Sequence, residues 1–385
     1  MAVIKALSHG PRHHFFGYYG MSPWDRSGRY HLALETDFHD RRPEPQDQAA
    51  VGLLDTSSGE FLQFARTAAF NFQQGAMLHW ISVGVGEEFT YNDWQSGRLV
   101  CRAVLPCTRA VRTLDSPVEA VSPTEPLALG LNYARMFWCR PVVGYAQAAQ
   151  PPDFKPCPDD DGLWAVDLKT GNRRLVLSIA QVVRALPAPQ TREGPAYFNH
   201  VVFNTDGRRA LFMCRIKKPD GNFYSSLWTV APDGSDLACQ IDYRHKVSHF
   251  DWRDARRLLI STDVLQGKMQ FVEFTDGQHD FRPVGAGVLP SDGHATFSPD
   301  RRWVACDVPP QGADRLAELM LYNLAAGRKV TLGRFRSPKP FTGDIRCDLH
   351  PRWRADGKAV SFDSIHEGTR QVYVADVAEE VAATP

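Results

Sequence analysis

The 385-residue chain has no apolar run long enough to span a bilayer and no excess charge of either sign, Lys+Arg and Asp+Glu standing at 44 each. The balance removes the electrostatic case for nucleic acid or an anionic membrane surface as partner. There is no G-x-x-x-x-G-K-[ST], no strand-borne G-x-G-x-x-G and no H-E-x-x-H, which sets aside P-loop, dinucleotide-binding and zincin chemistry. The G-x-S-x-G elbow of the α/β-hydrolases is missing too. The eight cysteines include no C-x-x-C pair, which argues against a cysteine zinc site. Scattered thiols inside apolar runs, as at Cys214 and Cys306, fit a reducing compartment. The opening residues Met1 to Gly10 lack the apolar core of a secretory signal, so a cytoplasmic location is expected. Helical periodicity is scarce, Ser178 to Leu186 being the one stretch that reads as a helix.

What is abundant is repetition. His200-Val-Val-Phe203 runs into Asn204-Thr-Asp-Gly207, and His249-Phe-Asp-Trp252 into Arg253-Asp254. His294-Ala-Thr-Phe297 runs into Ser298-Pro-Asp300, and Asp348-Leu-His350-Pro-Arg-Trp353 into Ala355-Asp-Gly357. Each copy continues as an apolar run: Ala210 to Cys214, Leu258 to Ile260, Trp303 to Cys306 and Ala359 to Phe362. An apolar run after an Asp/Gly turn predicts a hairpin. The histidines are 49, 45 and 56 residues apart, the spacing of β-propeller blades.

Weaker copies precede these. Ser22 to Gly28 is a turn of the same kind, followed by Tyr30 to Leu34 and by Val51 to Asp55 with Ser57-Ser-Gly59. The third unit contains a run from Leu127 to Arg135 read as strand, then a Pro- and Asp-rich insertion from Pro141 to Gly162. The expectation is an all-β, seven-bladed propeller with blades near 11–70, 71–115, 116–190, 196–243, 244–288, 290–336 and 343–380. The last blade is completed by residues 1–8, with Val3 to Leu7 as the outer strand that closes the ring and removes an exposed edge.

Symmetry then has a chemical consequence. Residues at one phase of successive blades point at one spot, so His200, His249, His294 and His350 are predicted to converge; the alternative is four separate core histidines. His294, Asp348 and His350 are candidate metal ligands, Asp348 and His350 sharing a strand face two residues apart. The same carboxylate could instead pair with Arg346 or Arg352. His249 and His200 are candidate bases, because neutral imidazole accepts a proton near pH 7. Arg135 and Arg215, at strand ends, could fork onto a carboxylate, with Tyr133 beside them. His13-His14-Phe-Phe-Gly17-Tyr18-Tyr19 offers His13, His14 and Tyr18 for stacking on a sugar, with Gly17 allowing close approach; the alternative is a buried strand of core aromatics.

With these residues placed, the chain resembles the oligogalacturonate lyase family, most clearly over residues 196 to 376. In that family a catalytic histidine occupies one blade and the first metal histidine the next, as His249 and His294 do here. The family then carries Gln-x-x-His-x-His before a proline. The matching run is Ile345-Arg-Cys-Asp348-Leu-His350-Pro351, in which Asp348 replaces a histidine and Ile345 the glutamine. The resemblance implies a lyase that cleaves an acidic oligosaccharide by β-elimination. A divalent ion, Mn foremost with Ca or Zn as alternatives, or an arginine such as Arg215 would neutralise a uronate carboxylate while His249 takes the C5 proton. Two other readings stand beside it: a non-catalytic propeller of the TolB or WD-repeat type that binds a protein, and a metal-assisted propeller hydrolase.

Overall fold

The turn from Asn204 to Gly207 shows how a blade is made. Gly207 N–H donates to the Asn204 carbonyl at 3.1 Å, and Asn204 Oδ1 accepts from Arg209 N–H at 3.1 Å. Gly207 sits at φ +73°, and a Cβ there would come within 2.5 Å of Thr124 Oγ1 in the adjoining turn. Glycine is therefore required both by the backbone and by the neighbour. The turn joins strands Ala196–Phe203 and Ala210–Lys217, which pair antiparallel.

The structure, a computed structural model, describes residues 2–81, 87–147, 149–186 and 194–383. They form seven four-stranded antiparallel sheets arranged as a seven-bladed β-propeller. The first blade holds His13–Phe15, Tyr30–Thr36, Ala49–Asp55 and Phe61–Thr67. The second holds His79–Ile81, Glu88–Gln95, Arg98–Leu105 and Ala110–Leu114; the third Ala120–Val121, Leu127–Gly130, Gly162–Asp167 and Arg173–Ser178. The fourth adds Phe223–Val230 and Ala238–Ile241 to the hairpin above. The fifth holds Val247–Trp252, Arg257–Thr262, Gln270–Thr275 and Arg282–Pro283. The sixth holds Thr296–Phe297, Trp303–Gln311, Leu316–Asn323 and Arg328–Arg336. The seventh runs Arg352–Trp353, Ala359–Ser364 and Gln371–Asp376, and its outer strand is Val3–Ala6, paired with Gln371–Asp376 from Val3 opposite Asp376 to Ala6 opposite Tyr373. The ring thus closes through the N-terminal strand, as expected.

Middle strands are rich in buried side chains, because both of their faces pack on neighbouring blades. Every residue of Ala49–Asp55 is buried. The aromatic three residues after each histidine is a peg between blades. Trp252 Nε1–H donates to the Val202 carbonyl of the preceding blade, and Trp353 Nε1–H to that of Thr296, both at 3.1 Å.

Helices are few. Ser178 caps Ile179–Ala185 with a complete capping box, Gln181 reaching back to the Ser178 N–H, where the sequence predicts a helix. Two local expectations are corrected. The strand read through to Arg135 stops at Gly130, because Asn132 accepts from Arg135 N–H and starts a helix, Tyr133–Cys139. Asp348 and His350 do not lie on a strand, which begins only at Arg352; His350 has a left-handed backbone at φ +47°. Among the described residues, no helix is long and apolar enough to cross a membrane.

Candidate active site

Innermost strands break where the histidines sit. In blade 4 the pairing shifts between Asn199 and Val202, and His200 is left-handed at φ +56°. In blade 5 the shift falls between Val247 and Phe250, on either side of His249. In blades 6 and 7 the strands start two residues after His294 and His350. A bulge re-aims a side chain, and positive φ at a non-glycine residue costs on the order of 1–3 kcal/mol. Freed from their strands, the imidazoles gather. The ring centroids of His249 and His294 are 4.0 Å apart, and those of His294 and His350 4.2 Å. His200 joins through Tyr18, whose ring stacks on it at 5.6 Å and whose hydroxyl hydrogen-bonds its Nδ1.

Tyr18 and Tyr19 come from the segment after strand His13–Phe15, which runs in among the innermost strands. Gly17, at φ +93°, lets it pass: a Cβ there would lie 2.6 Å from Gly75 N. Tyr19 packs on His249, His294 and His350, with centroids at 5.6, 5.0 and 6.1 Å, and Phe250 N–H donates to its oxygen at 3.3 Å. Both tyrosines also line a separate cavity of about 510 Å³ at the far ends of the innermost strands; none of the four histidines lines it. Burial raises both phenol pKa values, so both hydroxyls stay protonated.

His294 Nδ1 faces both oxygens of Asp307 at 3.0 Å. The same carboxylate accepts the backbone N–H of His294 at 2.7 Å and of His350 at 3.1 Å. Burial, the largest single influence, would lower the pKa of His294; the charge and hydrogen bond of Asp307, with the charges of Asp348 and Asp292, together outweigh it and raise it. His350 goes the other way, lowered by burial and then by the charge of His294.

His294 Nε2 and His350 Nε2 stand 3.2 Å apart, and Asp348 Oδ2 is 3.9 Å from His350 Nε2. One atom of each of the three residues lies within 4.8 Å of the others. Two nitrogens each about 2.0–2.1 Å from a common ion are roughly 2.9–3.4 Å apart at angles between octahedral and tetrahedral. The Asp307 carboxylate behind His294 is the arrangement that orients a metal-bound imidazole. The donor set therefore fits a divalent ion held by His294, Asp348 and His350. Asp348 is in addition steered by Arg346, whose Nε is 2.6 Å from Oδ2.

His249 is the more open imidazole. Its Nδ1 meets Asp292 Oδ1 at 3.0 Å, and Asp292 is itself held by Ser248 Oγ at 2.7 Å and by Gly293 N–H at 3.0 Å. Burial, and then the charge of His294, lower its pKa against the pull of Asp292. His249 is thus neutral near pH 7 with Nε2 unspent. Arg215, half-buried in the blade 4 wall, donates to Asn199 Oδ1 at 3.3 Å and to Ser225 Oγ at 3.0 Å. Among the described residues no carboxylate pairs with it.

The remaining sequence-predicted residues lie elsewhere in the hydrogen-bond network. His14 bridges Gln371 and Glu35, each at 3.1 Å, and His13 Nδ1 accepts from Arg370 N–H. The Tyr133 hydroxyl hydrogen-bonds Glu119, and its ring stacks on Tyr145. Arg135, expected to fork onto a substrate carboxylate, spends its guanidinium on the carbonyls of Ala196, Lys155 and Pro156. The physical reason is its place inside the first turn of a buried helix, not at a strand end.

Asp292 and Asp307 escape a search based on histidines alone. Asp292 had a signal, since Asp-x-His occurs at both 292–294 and 348–350. Asp307 follows Cys306 as Arg215 follows Cys214 and Asp363 follows Phe362, the same step of the second strand.

No protein-family model matches the chain, and no curated protein matches it. Solved structures do. Oligogalacturonate lyase from Vibrio parahaemolyticus superposes with a TM-score of 0.68 at 15% identity, over 98% of this chain and 94% of that one. An oligogalacturonate lyase in complex with manganese gives 0.71 at 17% identity, over 99% and 94%. The tricorn protease gives 0.55 at 11% identity, over 97% of this chain but 35% of that one. At these identities the likeness is one of fold.

Proposed function

We propose that the protein is a carbon–oxygen lyase that cleaves a uronic-acid-containing oligosaccharide by β-elimination. The observation that carries this reading is a neutral imidazole, His249, oriented by Asp292, together with Arg215, a guanidinium near enough to feel the Asp292 charge that has no carboxylate at ion-pairing distance among the described residues. β-Elimination next to a carboxylate needs that pair: a base for the C5 proton and a cation for the carboxylate, on which negative charge develops. The full-length fold likeness to two oligogalacturonate lyases supports the same substrate class.

His249 Nε2 takes the C5 proton. The electrons of that bond form C4=C5, the bond from C4 to the glycosidic oxygen breaks, and that oxygen leaves with a proton. The imidazolium formed on His249, or solvent, returns the proton to that oxygen; His200, hydrogen-bonded through Nδ1 to the Tyr18 hydroxyl, is the other candidate imidazole. Arg215 holds the uronate carboxylate. A divalent ion at His294, Asp348 and His350, manganese as in the solved lyase complex, would supply Lewis-acid neutralisation of the same carboxylate. A partner-binding propeller would be expected to close this channel with apolar side chains, whereas histidine, arginine and aspartate gather here.

The test is ultraviolet absorbance of the conjugated C4=C5 uronate, with oligogalacturonates as first substrates and His249→Ala as control. A rise that His249→Ala abolishes supports the assignment. Metal-supplemented protein that produces no such absorbance from any uronide overturns it; cleavage without absorbance would indicate a hydrolase.

A further inference from the structure

Arg140 caps the C-terminus of the Tyr133–Cys139 helix, at the start of the insertion in blade 3. Arg135 ties that helix to the Ala196 carbonyl at the first residue of blade 4, so the helix end overhangs the blade that carries Arg215. The Arg140 guanidinium lies 5.7 Å from the centroid of Phe223. Phe223 meets Tyr197 edge-on at 5.9 Å, and Tyr197 stands opposite Arg215 in the blade 4 ladder.

Hydrogen-bond donors crowd this corner and acceptors do not. The buried Tyr197 hydroxyl makes no close hydrogen bond, its nearest polar influence being the guanidinium of Arg140, and Asn199 Nδ2 beside Arg215 makes none either. Among the described residues neither Arg140 nor Arg215 has a carboxylate within ion-pairing distance, whereas most of the other buried or half-buried arginines do, Arg352 and Arg370 on Asp363 being examples. The two guanidinia feel one another: after burial and the neighbouring Tyr197, Arg140 is the next influence on the pKa of Arg215, and it lowers it. Two like charges about a buried hydroxyl that already faces one of them, with no carboxylate at ion-pairing distance and Asp292 acting on Arg215 only from farther off, are an incomplete arrangement that an anion completes.

We infer that Arg140 and Tyr197, next to Arg215, form a second carboxylate subsite that reads the residue adjoining the one cleaved. This rests on the lyase reading for what the anion is, an oligosaccharide with consecutive uronates. Arg215 serves the carboxylate of the reacting residue, and Arg140 the carboxylate of its neighbour. The protein then discriminates between a uronide linked to a uronide and the same uronide linked to a residue whose carboxylate is methyl-esterified.

The experiment has two arms, on wild type, Arg140→Gln and Arg140→Lys. Binding of digalacturonate and of its half-ester is measured calorimetrically, which needs no turnover; KM and kcat are then measured for a trimer and its esterified counterpart. In wild type the acid is preferred by about tenfold to a hundredfold, the range of a charge-assisted hydrogen-bond pair. In Arg140→Gln the ratio of the two affinities, and of the two KM values, falls towards one, and Arg140→Lys recovers part of it. A ratio unchanged by Arg140→Gln in folded protein, judged by an unaltered melting curve, overturns the subsite even if the protein is an active lyase. An Arg140-dependent preference in binding without any elimination leaves the subsite standing and removes the lyase.

Discussion

Replacing Asp363 by Asn tests how the tyrosine segment is held in place. Asp363 is fully buried, with Arg352 Nη2 and Arg370 Nη2 each at 2.7 Å. Its two oxygens also accept the backbone N–H groups of Phe16 at 3.4 Å and Gly17 at 3.1 Å. One carboxylate thus neutralises two buried guanidinia and fixes the backbone just before Tyr18, whose own carbonyl accepts from Arg352 at 3.2 Å. Asparagine keeps the shape and removes the charge, leaving two like charges in the core. Removing one partner of a buried pair costs about 3–5 kcal/mol. An unfolding entropy of about 2.1 cal/mol/K per residue gives about 0.8 kcal/mol/K for this chain, so melting should drop by about 4–6 °C. Arg352→Met in the Asp363→Asn background removes one of the two stranded charges and should recover part of the loss. Calorimetry or thermal circular dichroism reads both. Asp363→Asn protein that melts within about one degree of wild type would refute the reasoning, since the triad would then be carrying no net interaction.

Two further outcomes follow from the site and the core. Purified His294→Ala protein should retain no bound manganese after dialysis, by metal analysis, while remaining folded; wild type with metal at about a hundredfold over Kd should gain about 2.7 kcal/mol, or about 3 °C, and a metal-insensitive wild type would remove the site. Burial raises Asp251 from 3.8 to about 6 against the charge of Arg301 and the N–H groups of Phe297 and Trp252. A carboxyl with a raised folded pKa stabilises below its unfolded pKa and loses that contribution as pH rises through the folded one. The stability of wild type relative to Asp251→Asn should therefore fall by on the order of 2–3 kcal/mol between pH 4 and pH 7, measured by urea titration; a difference that is flat or rises with pH would show that Asp251 ionises freely.

The blades were legible because their signal is local and repeated. An Asp/Gly turn followed by an apolar run makes a hairpin whatever its neighbours do, and Trp252 and Trp353 peg successive blades from the same step of the repeat. The helix at Tyr133–Cys139 was not legible as such, because Leu127 to Arg135 is as apolar as a strand and a single residue, Asn132, decides the switch. The convergence of four histidines followed from phase alone. The geometry of Asp348 and His350 did not, because the chain reaches the site through irregular backbone before the strand begins. Arg135 and Arg140 lie five residues apart: Arg135, in the first turn of the helix, is consumed by carbonyls, whereas Arg140 ends the helix on extended backbone beside Phe223.

Overall charge balance hides a division within the channel. Arg140 and Arg215 stand on blades 3 and 4, whereas Asp292 and Asp307 stand behind the imidazoles of His249 and His294, and Asp348 lies on the Nε2 side of His350. The second strand of blade 6 offers Asp307 where that of blade 7 offers Asp363, and the two do different work because of what faces them. Asp363 meets two arginines and is neutralised, so it serves structure. Asp307 meets one imidazole and two backbone N–H groups, and its charge favours positive charge at His294. Among the described residues, the donors of His294, Asp348 and His350 fit a cation between blades 6 and 7, and the guanidinium of Arg215 on blade 4 is of the kind that fits an anion. Under the proposed lyase reading, the uronate carboxylate would lie between the two, with His249 as the imidazole that takes the C5 proton.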